Sequence, residues 1–104
     1  MEKEFIPYEQ ALALKELGFD ELCLKSYGID GLLNQNDSSL YLSAPLYQQA
    51  FRFFREKYKS NFIIGFGNDG GYYRIGNLFS KWYKTYKEAE LECLKKLIEI
   101  VKQK

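Results

Sequence analysis

The stretch Ile64-Gly65-Phe66-Gly67-Asn68-Asp69-Gly70-Gly71-Tyr72-Tyr73 carries a G-x-G-x-x-G spacing, and its reading decides the fold. A pyrophosphate cradle needs a strand before the glycines and a helix opening directly on them, so that unpaired helix N–H groups face the phosphates. Asn61 to Phe66 supplies the strand, rich in β-branched and aromatic residues. Beyond the glycines, Tyr72-Tyr73-Arg74-Ile75-Gly76 alternates as a second strand, and the next helix signal is Thr85. A kinase-type glycine loop does lie between two strands, but it requires a downstream lysine strand, H-R-D and D-F-G. The chain has only 104 residues and no histidine. Asn68-Asp69-Gly70-Gly71 therefore predicts a hairpin turn, with glycine supplying positive φ.

Phe62, Ile64 and Phe66 share one side of the first strand, and across a four-residue turn they meet Asn77, Ile75 and Tyr73. Gly76-Asn77, glycine first, predicts a second tight turn into Leu78 to Tyr83, which completes a three-stranded meander. Thr85-Tyr86-Lys87-Glu88 is a capping box that opens a last helix towards Lys102. Its buried face is Ala89, Cys93, Leu94, Leu97, Ile98 and Val101. Glu88, Glu90 and Glu92 come early and Lys95, Lys96, Lys102 and Lys104 late, which complements the helix dipole without a ligand.

Upstream, Ala44-Pro45 opens a helix to about Tyr58, with Tyr47, Ala50, Phe51, Phe54 and Tyr58 on one stripe that Leu46 and Phe53 widen. Tyr8 to Leu17 predicts a first helix. Pro7 suits its start, Gly18 its left-handed cap, and Phe19 folds back onto Leu14. Tyr8, Ala11, Leu12 and Leu14 supply its buried face. Glu21 to Ile29 and Leu40-Tyr41-Leu42 predict two strands, with Asp30-Gly31 and Asn34-Gln35-Asn36-Asp37-Ser38 competing for the turn. The fold class is α+β: one domain over residues 1–104, ordered α-ββ-α-βββ-α, its antiparallel strands carrying helices mainly on one side.

Fifteen basic against fourteen acidic side chains leave a net charge of +1, which argues against a DNA mimic and against a generally basic nucleic-acid binder. A local basic patch stays open. The start, Met1-Glu2-Lys3-Glu4-Phe5-Ile6-Pro7, has no apolar run, and no stretch approaches the roughly 20 apolar residues of a membrane span. The expectation is a cytoplasmic protein without membrane association, whose Cys23 and Cys93 are reduced and buried.

Catalysis needs a nucleophile, a base or a metal set on rigid elements. Histidine is missing, and no D-x-D, H-E-x-x-H, G-x-S-x-G or C-x-x-C occurs, so the chain is expected to be non-enzymatic, with no catalytic or metal residues and no cofactor. Gln48, Arg52, Arg55 and Lys59 recur at i, i+4, i+7 and i+11 and form a polar stripe on the second helix. Tyr72 and Arg74 project from the meander's other face, opposite in direction to Tyr73 and Ile75. Arginine with tyrosine serves protein anchoring or anion recognition, and these six are the candidate binding residues. The plainer reading of the stripe is a solvated helix flank.

Three segments, Ile6-Pro7-Tyr8-Glu9-Gln10-Ala11-Leu12-Ala13-Leu14-Lys15-Glu16-Leu17-Gly18-Phe19-Asp20-Glu21, Ser43-Ala44-Pro45-Leu46-Tyr47-Gln48-Gln49-Ala50-Phe51-Arg52-Phe53-Phe54-Arg55-Glu56-Lys57-Tyr58 and Tyr83-Lys84-Thr85-Tyr86-Lys87-Glu88-Ala89-Glu90-Leu91-Glu92-Cys93-Leu94, carry a likeness. Through them the chain resembles a family of small uncharacterised proteins of phages, prophages and mobile elements in Bacteroidetes-type bacteria. Phe53 stands where that family often has tryptophan, and Leu22 where it has proline. The resemblance implies an accessory protein that acts by binding a host protein or a small anionic ligand, as in inhibiting a defence system or sequestering a signal nucleotide. It carries no site residues. A competing reading is nucleic-acid binding, because the order α-βββ-α from Pro45 matches a double-stranded-RNA-binding domain. Here Asn68-Asp69-Gly70-Gly71 replaces that domain's proline-histidine loop, and Glu88 replaces one lysine of its pair. A homo-oligomeric structural protein is the third reading.

Overall fold

A computed structural model describes residues 5–20, 23, 25–27, 33–35 and 42–103. The chain divides into two compact units, Met1–Arg52 and Phe53–Lys104. The fold class is α+β, and both units pair antiparallel strands with helix.

In the first unit, helix α1 (Tyr8–Glu16) ends as its sequence predicts. Gly18 takes φ 100, its N–H donates to the Lys15 carbonyl at 3.0 Å, and the Phe19 N–H donates to the Leu14 carbonyl at 3.0 Å. Ala11 and Leu14 are buried on α1 as expected, but the rest of its buried face differs. Tyr8 and Leu12 are exposed, whereas Ala11, Ala13 and Leu14 are buried. Apolar residues run right round Ala11-Leu12-Ala13-Leu14, so periodicity sets no phase there, and the cap that ties Phe19 to Leu14 decides it.

Strands β1 (Lys25–Tyr27), β2 (Leu33–Gln35) and β3 (Leu42–Ala44) form a sheet ordered β2-β1-β3, with α1 against β3. One strand more is present than expected. Asn34 and Gln35, read as turn residues, pair with Ser26 and Lys25 instead. Asp30-Gly31 and Asn36-Asp37-Ser38 lie outside the described residues. Ala44 closes β3, and helix α2 (Tyr47–Lys57) starts two residues beyond Pro45, because Pro45 and Leu46 pair with the N-terminal segment. The Ile6 N–H donates to the Pro45 carbonyl at 2.9 Å, and Phe5 bridges Leu46. Gln49 then reaches back, its Oε1 accepting the Leu46 N–H at 2.9 Å, which is half of a capping box. Tyr47, Ala50, Phe51, Phe53 and Phe54 are buried along α2, as its stripe predicts.

In the second unit, β4 (Phe62–Gly67), β5 (Gly70–Ile75) and β6 (Leu78–Phe79) form the meander, and α3 (Tyr86–Lys102) covers one of its faces. The first hairpin is tighter than expected. Its turn is Asn68-Asp69, so Phe62 meets Ile75, Ile64 meets Tyr73 and Phe66 meets Gly71. The register differs from the four-residue expectation by two, and an even slip leaves every side chain on its expected face. Neither turn residue has positive φ; Gly70 does, at 113. The positive φ thus falls on the glycine that closes the turn and not within it, unlike a type I′ turn. Gly76 leads the second turn with φ 60.

Thr85 caps α3, its Oγ1 accepting the Glu88 N–H at 3.1 Å. Ala89, Cys93, Leu94, Leu97 and Ile98 are buried. Each large aliphatic among them contributes about 1.5–3 kcal/mol by leaving water. Val101, expected with them, is half-buried. Ion pairs Lys87–Glu90, Lys95–Glu92 and Lys96–Glu99, all i,i+3 at 3.1–3.5 Å, tie charges of α3 to one another.

Candidate functional site

Alternation along the ladder sorts the meander's side chains. Gly71, Tyr73, Phe62 and Ile64 belong to the face under α3. Ile63 and Gly65 of β4, Tyr72 and Arg74 of β5 and Phe79 of β6 belong to the other, which no element of the second unit covers.

A β-bulge adds one residue more to that open face. Arg74 pairs with Phe79, so regular pairing would set Gly71 opposite Trp82. Gly71 instead exchanges both backbone bonds with Tyr83, at 2.8 and 2.7 Å. Ser80 makes the detour: its Oγ accepts the Tyr73 N–H at 2.9 Å and its hydroxyl donates to the Lys81 carbonyl at 2.8 Å. One extra residue reverses the facing of everything after it. Tyr83 turns under the sheet and stacks on Tyr73, centroids 6.3 Å apart, while Trp82 meets Tyr72 on the open face at 5.1 Å and 62°. The expected uninterrupted strand from Leu78 to Tyr83 is thus broken after Phe79.

Glycines make room for these rings. A Cβ on Gly65 would collide with the Tyr72 ring, and one on Gly67 would touch the Trp82 ring at 3.4 Å. The Arg74 guanidinium lies 5.9 Å from the Phe79 ring centre. Its Nε is buried and has no hydrogen-bond partner among the described residues. Phe79 is 67% exposed, Trp82 50% and Ile63 42%, so large aromatic surface faces water beside an arginine with a donor to spare. From Gly70 to Lys87 the chain has Arg74, Lys81, Lys84 and Lys87 and no acidic residue.

The G-x-G-x-x-G spacing has a mechanical explanation at each glycine. Gly65 and Gly67 lie beneath rings, and Gly70 combines positive φ with a backbone approach in which a Cβ would collide with the Tyr83 carbonyl. Gly71, next to them, lets the start of α3 sit on the sheet: its Cβ would lie 2.9 Å from the Thr85 carbonyl oxygen and 3.1 Å from the Ala89 Cβ. No helix opens on the glycines.

The sequence-derived candidates do not share one surface. Tyr72 and Arg74 stand together on the open face. Gln48, Arg52 and Arg55 are exposed along α2, but the Arg55 guanidinium lies 4.4 Å over the Phe62 ring, which faces the α3 side of the sheet. Lys59 falls outside the helical phase, because α2 ends at Lys57 and Lys59 takes φ 55. Ile63, Phe79 and Trp82 escaped the sequence reading. For Trp82 the reason is the bulge, and the basic, acid-free run was the signal available.

Both cysteines are free thiols and buried. Burial pushes the Cys93 thiol up to about 12, with Arg55 opposing the rise and Glu90 adding to it. Tyr73 and Tyr83 are raised as well, chiefly by burial. Among the described residues no His, Cys, Asp and Glu cluster could hold a metal ion, and no helix is long and apolar enough to cross a membrane. Comparison of the chain with protein-family models, with curated proteins and with solved structures gives no match.

Proposed function

We propose that this chain is a non-enzymatic binding protein whose recognition surface is the open face of the β4-β5-β6 sheet, centred on Tyr72, Arg74 and Trp82. One observation carries this reading: solvent-facing aromatic rings and an arginine with an unpartnered buried Nε are gathered on a rigid sheet face. Aromatic and arginine side chains held rigidly are what recognition surfaces use as anchors. The family resemblance supplies the setting: a phage or mobile-element accessory protein in the cytoplasm of a bacterial host, acting on a host or defence protein or on a small anionic ligand.

The test is retention of partners from host lysate by four variants. Trp82→Ala and Arg74→Glu on the open face should each lose the bound partner. Arg52→Glu and Arg55→Glu on α2 should keep it. Loss confined to the α2 pair would move the recognition surface to the polar stripe and refute the open-face assignment.

A further inference from the structure

We propose that the open face takes single-stranded nucleic acid, with bases stacked on Trp82 and Phe79 and phosphates held by Arg74 and the neighbouring lysines. The inference rests on the open-face reading and names its ligand class.

Three features together point to this ligand. The first is π surface. Phe79 and Trp82 leave half or more of their area to water, on a sheet face whose glycines allow the rings to lie close to the backbone. Such rings accept any base, because every base has a flat π face. The second is charge. Arg74, Lys81 and Lys84 accompany Tyr72, Phe79 and Trp82 in a run without a single acid, in a chain whose net charge is only +1. Arg74 lies on the aromatic face by its register, and Lys81 and Lys84 are exposed near Trp82 in the chain. The Lys81 Nζ rests 5.4 Å over the Tyr83 ring on the α3 side, so it has to swing outward to join a backbone-tracking surface. The third is the place of Arg74: its guanidinium lies 5.9 Å from the Phe79 ring centre on the face that carries the rings, and since its Nε is buried, a phosphate would meet the terminal nitrogens.

The other occupants fit less well. A second copy pairing through the same face would set this acid-free run against itself, and like charges across an interface are costly. A duplex keeps its bases stacked inside and offers nothing to Trp82 and Phe79. The lysine at the start of α3, where a duplex-binding domain would keep its cationic pair, is engaged: Lys87 Nζ bonds Glu90 at 3.1 Å.

The chain has one tryptophan, so its emission reports directly on the proposed stacking site. The experiment titrates the protein with an oligothymidylate of about 20 nucleotides, long enough for a single site. Trp82 emission and the anisotropy of a fluorescein-labelled copy are followed together. Saturable quenching is expected, with affinity falling roughly 20-fold between about 50 and 200 mM salt if three phosphates are contacted. Phe79→Ala and Arg74→Gln should each weaken binding roughly tenfold with an unchanged circular-dichroism spectrum. A duplex of equal length should bind more weakly than the single strand. The inference is overturned by any of three results: no quenching or anisotropy change, binding indifferent to both substitutions, or a duplex bound as tightly. A protein partner that survives nuclease treatment and is lost in Trp82→Ala, alongside a failed titration, would keep the open-face reading and discard nucleic acid. Failure of both experiments discards both.

Discussion

The two faces of the β4-β5-β6 sheet are made by alternate residues of the same strands, and both are rich in aromatic side chains. Phe62 and Tyr73 lie buried under α3, whereas Phe79, Trp82 and Ile63 face water. Apolar composition does not separate the faces, since a tyrosine and a β-branched residue occur on each. The difference lies in backbone fit. Gly71 offers a bare strand on which Thr85, Tyr86 and Ala89 can seat, while Gly65 and Gly67 are occupied by the sheet's own rings. A helix can dock only where the backbone leaves space for it.

The largest effect on this contrast is expected at Gly70. Its φ of 113 and the Tyr83 carbonyl that a Cβ would strike combine strain with collision. Gly70→Val should cost about 4 kcal/mol or more in denaturant unfolding, because the β5 start and the strand returning to α3 must separate. A loss below about 1 kcal/mol would mean the turn and the Tyr83 bridge are dispensable.

Next comes a paired truncation. Leu94 is fully buried on α3, so Leu94→Ala should lose about 3 kcal/mol. Phe79→Ala on the open face should stay within about 0.5 kcal/mol, as exposed positions usually do. Equal losses would show that the open face is covered in solution by something that contributes to folding.

The smallest effect is a titration. Cys93 has its thiol raised from 9.0 to about 12 by burial, so the unfolded chain releases this proton at lower pH than the folded one. Its contribution to stability is complete below pH 9 and is lost as pH rises from there towards 12. Comparing Cys93→Ala with the parent should show the parent's stability falling more steeply across that window, and native thiol labelling should be slow until unfolding. Rapid labelling of folded protein would place Cys93 at the surface.

Much of the second unit was legible in the sequence because several local signals agreed. Thr85 with Glu88 marked the start of α3, Gly76 marked a turn, and the alternation of Phe62, Ile64 and Tyr73 survived an error of two residues in the turn. In the first unit, α1 was placed correctly by Gly18 and Phe19, and Ala11 and Leu14 lie on its buried side as expected, but Tyr8 and Leu12 do not, because four consecutive apolar residues define no direction. The strand at Leu33–Gln35 was missed because Asn34 and Gln35 have turn-like chemistry, and only pairing with β1 makes them strand. Part of the candidate site, Tyr72 and Arg74, came from strand alternation. Trp82 did not, since no pattern in Ser80-Lys81-Trp82 announces that a serine hydroxyl will stand in for a backbone carbonyl.

That serine detour has a consequence for how such a surface could change over time. The outward display of Trp82 depends on pairing, not on composition: the same residues paired regularly would set Trp82 opposite Gly71 and turn Tyr83 outward, exchanging the destinations of the tryptophan and the tyrosine. Whether a serine hydroxyl holds the Tyr73 N–H at this single point therefore decides which ring the scaffold shows, so one change there can give a new exterior while every other codon stays untouched.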